Sequence, residues 1–124
     1  MIIYMLWLIV LVIDSIYLST VGRNVFVPVI KNIQRAEIKT KYYAVILCYA
    51  LMLFALDYFI IRDKRPPIDA FILGIVIYGV YDTVNLALFN KWTPQMALID
   101  TLWGGVLFYL SVKIYYFINK YTIK

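Results

Sequence analysis

Four stretches of about twenty mostly apolar residues, each closed by polar punctuation, limit this chain's fold more than any other feature. They run from about residue 2 to 21, 42 to 61, 68 to 89 and 96 to 118. A helix rising about 1.5 Å per residue crosses the roughly 30 Å hydrocarbon core of a bilayer in about 20 residues. Lipid offers backbone amides no water partner, so segments of this length become helices. The expected fold is all-α: a four-helix transmembrane bundle forming one polytopic domain over residues 1–124, a multi-pass integral membrane protein. Composition agrees, with 65% hydrophobic and 15% charged residues. A 124-residue water-soluble chain could not hide that much apolar side chain.

The punctuation fits the spans. Arg62-Asp63-Lys64-Arg65-Pro66-Pro67 is a charged, proline-closed turn. Pro67 suits the first turn of the third helix, where Asp69 complements the positive end of the dipole. Asn90-Lys91-Trp92-Thr93-Pro94-Gln95 is a second short turn, which places Trp92 at the head-group level. Tyr42, Tyr43, Tyr58, Tyr115, Tyr116 and Tyr121 fall near span ends, as an aromatic belt would. The first span lacks a basic leading region and carries Asp14 inside its apolar run, which argues against a cleaved signal peptide.

Between the first two spans, Lys31, Arg35 and Lys39 recur every four residues, while Phe26, Val29, Ile30 and Ile33 occupy other faces. With Pro28 as a helix opener, residues 23–41 read as an amphipathic interfacial segment whose basic stripe contacts anionic lipid head groups. A solvated connecting loop is the alternative. The net charge of +5 arises without a basic run interleaved with aromatics in a soluble segment, so the expected partner is the bilayer and not nucleic acid. A homo-oligomer or a membrane-protein partner is left open. The 12 basic residues divide evenly between the two sides of the membrane, so they set no orientation.

The chain has no histidine, which removes imidazole zinc sites and histidine-based triads. No cofactor or metal is expected. The single cysteine, Cys48, lies in an apolar run and reads as a small buried hydrophobe.

Counting along the helices brings three acids to one depth. Asp14 sits nine residues before Arg23, Asp82 nine before Lys91, and Asp100 five after Gln95. All three then lie roughly 8–14 Å below the surface shared by the first and third loops. Gly74, Tyr78, Asp82 and Asn85 form one stripe of the third helix, and Asp100, Trp103, Gly104, Leu107 and Ser111 one stripe of the fourth. Gly104-Gly105 allows a neighbouring helix to approach closely. An Asp at mid-span costs about 2.5 kcal/mol or more, so three call for an explanation. Asp14, Tyr78, Asp82, Asn85, Asp100 and Trp103 are therefore the candidate binding residues. Asp57 and Lys113, nearer the opposite surface, are expected to pair or to reach out to the interface.

Two motifs carry a family resemblance. Tyr81-Asp82-Thr83-Val84-Asn85-Leu86-Ala87, followed by Lys91-Trp92-Thr93-Pro94, joins Asp100-Thr101-Leu102-Trp103-Gly104-Gly105. Together they resemble domain-of-unknown-function family 2177, predicted four-span membrane proteins with Tyr-Asp-x-x-Asn in the third span and Asp-x-x-Trp-Gly in the fourth. Asp14 matches the acid of the family's first span. The chain departs after that acid, with Ile16-Tyr17 where the family tends to carry Trp. The resemblance implies an architecture and a shared polar face, but no activity.

The acid cluster has three readings. It binds or translocates a proton, cation or small polar solute; it serves a membrane enzyme acting on lipid; or it fixes helix packing in a structural or assembly protein. The first is the favoured expectation, which makes an enzyme the weaker one.

Overall fold

The computed structural model describes residues 2–122, with side chains from Tyr4 to Lys120. The Tyr121 ring and Lys124, counted above in the belt and the basic total, lie outside the described part. The chain forms α1 (Ile2–Tyr17), a π-helical segment (Leu18–Phe26), α2 (Val27–Gln34), α3 (Tyr42–Leu56), a second π-helical segment (Asp57–Ile61), α4 (Pro67–Leu88) and α5 (Pro94–Thr122). Four helices, Tyr4–Gln34, Tyr42–Ile61, Pro67–Leu88 and Pro94–Lys120, are long and apolar enough to cross a membrane.

The first helix does not stop near Val21. It runs on through wide π turns into α2 and ends at Gln34. Arg35 follows with φ 54°, a left-handed turn that closes the helix, and the Gln34 amide donates to the carbonyls of Ala36 and Glu37, both at 3.0 Å. The basic stripe is thereby corrected. Lys31 stands on the helix, Arg35 at its cap, and Lys39 in the irregular stretch beyond, so the three do not share one helical face. Lys31 pairs instead with Glu37 at 3.0 Å.

A straight helix would carry Asn32 about 27 Å past Asp14, whereas Lys91 lies only about 13 Å past Asp82. Yet Lys91 Nζ donates to Asn32 Oδ1 at 2.9 Å. The helix must therefore lean over the end of the bundle, and the π segment is where a helix commonly departs from its axis. Val29, Ile30 and Ile33 of α2 pack with Phe26, Trp92, Met96 and Ala97 beneath. The amphipathic segment is real, but it belongs to the first helix.

Helices α4 and α5 form the most extensive pairing in the molecule. Glycines permit it. A Cβ on Gly74 would stand 2.2 Å from the Gly104 carbonyl oxygen, and one on Gly104 would stand 2.3 Å from the Tyr78 ring. Only hydrogen fits at either position. Leu6 and Val10 of α1, Leu53 and Leu56 of α3, Ala70 of α4, and Leu107, Phe108 and Val112 of α5 build the core at this level.

Several sequence expectations need correction. Asp57 pairs with Arg62 at 3.3 Å, five residues along its own helix, while Lys113 lies over the Tyr109 ring at 5.5 Å. Tyr115 is buried in the core, and the Tyr116 hydroxyl donates to the Arg65 carbonyl at 2.7 Å; Tyr42, Tyr43 and Tyr58 remain outward as a belt requires. Trp92 is only 4% exposed, because α2 covers it. Cys48 is exposed, with its thiol 3.9 Å from Met52 Sδ. Asp69 stands in the first turn of α4, as expected, and accepts from Arg65 at 3.0 Å.

Candidate functional site

Asp14 and Tyr17 are three residues apart on α1, and Asp100 and Trp103 are three apart on α5. That spacing puts each acid and its aromatic on one side of its helix. Successive spans alternate in direction, so the first and fourth run antiparallel and residue 14 meets 103 while 17 meets 100. The result is a reciprocal clamp. The Tyr17 hydroxyl donates to Asp100 Oδ1 at 2.9 Å, and Trp103 Nε1–H donates to Asp14 Oδ1 at 3.0 Å. Between these bonds the two rings lie stacked, 4.6 Å apart and 4° from parallel.

The other two spans complete the cluster. From α3, the Tyr49 hydroxyl donates to Asp14 Oδ2. From α4, Asp82 enters fully buried, and Thr101 Oγ1 donates to its Oδ2 at 3.4 Å. The Asp82 carboxyl lies against that of Asp100 and near the Trp92 indole. Its Oδ1 and the Trp92 Nε1–H are both buried, and neither closes a hydrogen bond. The arrangement thus has two linked stations. Asp14 is held by two ring donors; Asp82 and Asp100 face one another, and Tyr17 joins the pair to the first helix.

Every donor to these acids is neutral. Among the described residues no lysine or arginine forms an ion pair with Asp14, Asp82 or Asp100. All three acids are at most 8% exposed. Burial of a carboxylate is costly unless the charge is compensated, and neutral hydrogen bonds compensate only in part. The three acids do not converge as a metal ion would need: no group of three Asp, Glu, Cys or His with that geometry occurs among the described residues.

Of the six candidate residues, Asp14, Asp82, Asp100 and Trp103 come together. Tyr78 flanks them, its ring against Gly104 and edge-on to Phe108 at 6.3 Å. Asn85 turns elsewhere. It lines a groove of 310 Å³ with Ile30, Ile33, Gln34, Tyr81, Phe89 and Trp92. Sequence reasoning missed Tyr17, Tyr49, Thr101 and the buried role of Trp92. The repeated three-residue spacing of acid and aromatic was the signal for Tyr17; nothing marked out Tyr49 among 12 tyrosines.

The model of a family described as a predicted membrane protein, DUF2177, matches residues 1–117, and the chain belongs to that family. The resemblance read from the third and fourth spans is thereby established. No curated protein and no solved structure matches the chain.

Proposed function

We propose that this four-span member of the DUF2177 family holds a proton between the facing carboxyls of Asp82 and Asp100, and uses that site to bind or pass a small polar solute. The observation that carries the reading is the meeting of two buried acids with neutral donors alone around them. Two adjacent negative charges in a medium of low dielectric repel strongly, and one shared proton removes the repulsion. The site then exists in two charge states, which is what a proton-coupled carrier or sensor requires. Asp14 adds a third acid within the field of Tyr17, and its two ring donors hold it in place. The exposed Arg35 and Lys39 contact lipid head groups.

A second reading also has an observation in its favour. The stacked, doubly bonded Tyr17–Trp103 pair is a good packing device, which would serve a structural or assembly protein.

Infrared difference spectra between two pH values separate the readings. In vesicles, the wild-type protein shows the carbonyl band of a protonated carboxyl that changes with pH. Asp82→Asn and Asp100→Asn each remove or displace that band while the helix content stays as in wild type. Vesicles loaded with a pH indicator then show proton uptake that both variants lose. A spectrum with no protonated carboxyl, or one that neither substitution alters, refutes the proton site and leaves packing.

A further inference from the structure

The groove beneath α2 is not part of the acid cluster, and it has its own chemistry. Ile30 and Ile33 form one wall, and Phe89 and the Trp92 ring form the other. The Asn85 and Gln34 amides are the polar groups among its lining residues besides the Tyr81 hydroxyl and the Trp92 indole. Its 310 Å³ falls at the small end of ligand sites, so it suits a single chain or head group but not a bulky solute.

The charge at the rim says which. Lys91 adjoins Trp92 in sequence and donates to Asn32, a neutral amide between the lining residues Ile30 and Ile33, at 2.9 Å. Among the described residues it has no carboxylate partner. Arg35 follows Gln34 directly and is exposed. Lys31, by contrast, is neutralised by Glu37. Two cations thus adjoin lining residues of an apolar slot, Arg35 next to Gln34 and Lys91 next to Trp92. We infer that this groove seats one anionic phospholipid, with an acyl chain between Ile33 and Phe89 and its phosphate on Lys91 and Arg35. Charge complementarity and chain-sized apolar walls identify this occupant. A zwitterionic lipid offers the same chain but its own cation opposes the lysine, and a free phosphate offers the charge but nothing for the slot.

The inference stands apart from the proton site, because it uses none of the three acids. It is tested with the full chain in vesicles, in a Trp7→Phe background that removes the lipid-facing indole. Phosphatidylglycerol or phosphatidylcholine carrying bromine on the acyl chain is the quencher. The Trp92 signal is taken as the part of the fluorescence lost in Trp92→Phe. Brominated phosphatidylglycerol quenches it at lower mole fraction than brominated phosphatidylcholine. Lys91→Gln lowers that preference about fivefold, the factor that corresponds to about 1 kcal/mol for one lysine at an anionic surface. Ile33→Asn keeps the charge but takes an apolar wall from the slot, so it lowers quenching of Trp92 by both lipids. Equal quenching by the two lipids in wild type overturns the inference. So does a preference that survives Lys91→Gln together with Arg35→Gln, or quenching that Ile33→Asn leaves as strong as in wild type.

Discussion

Gly74→Ala probes the close approach of α4 to α5, the two helices that carry Asp82 and Asp100. A methyl at position 74 would stand 2.2 Å from the Gly104 carbonyl oxygen, 2.6 Å from its carbon and 2.9 Å from the Gly105 Cα. All three are backbone atoms of the facing helix, so no side chain can rotate aside. Carbon and carbonyl oxygen rest about 3.3 Å apart at closest, so α4 and α5 must separate locally by about 1 Å. Overpacking of this kind costs about 1–3 kcal/mol. Gly79→Ala is the control, on the same helix and against the same neighbour. Its methyl would meet Thr101 Cγ2 at 3.5 Å, an ordinary contact. Replacing a mid-helix glycine by alanine without a clash favours the helix by up to about 1 kcal/mol. The two variants should thus move in opposite directions when the purified protein is unfolded in mixed micelles of increasing denaturing detergent. Gly74→Ala unfolds earlier than wild type, and Gly79→Ala unfolds no earlier. A Gly74→Ala protein as stable as wild type would refute the reasoning, and so would two variants destabilised alike.

Further outcomes follow from single contacts. Trp103→Phe keeps an aromatic ring beside Tyr17 but removes the N–H that Asp14 accepts, and should cost about 0.6–1.7 kcal/mol in the same assay, the range measured for hydrogen bonds between membrane helices. Tyr49→Phe should lower stability in the same direction by removing the other donor to Asp14. Cys48→Ala should leave unfolding within about 0.5 kcal/mol of wild type, since the residue is exposed and loses only a weak contact of its thiol with Met52 Sδ. Asp57→Asn should also change little, about 0–1 kcal/mol, because its partner Arg62 is largely exposed.

The spans were legible because their cause is single and additive: length and apolarity against bilayer thickness. The depth of the acids followed from the same rise per residue, and the Gly74–Asp82 and Asp100–Ser111 stripes from helical periodicity. What stayed hidden depends on tertiary choices. Asn85 shares a stripe with Asp82, yet one turn further along the helix it meets α2 instead of α5. Trp92 carries the signature of a head-group indole, and only the bent first helix, unforeseen from the sequence, covers it. That bend arises in π turns, for which a run such as Leu18-Ser19-Thr20-Val21-Gly22 gives no periodic sign. Spacing along the spans cannot choose between Lys113 across the bundle and Arg62 five residues on as the partner of Asp57, and the structure pairs it with Arg62. In the sequence Tyr17 stands out only as a departure from a tryptophan, although its hydroxyl donates the bond that Asp100 accepts.

Coupling between Tyr17 and Asp100 is the most direct measure of whether the first and fourth spans are clamped together by reciprocal donors and acids. A double-mutant cycle with Tyr17→Phe and Asp100→Ala, read from unfolding free energies, isolates that one bond from the burial that surrounds it. A favourable coupling of about 0.6–1.7 kcal/mol is expected from a buried bond of 2.9 Å. Losses that simply add, to within about 0.3 kcal/mol, would mean the two side chains do not meet and the clamp is not there.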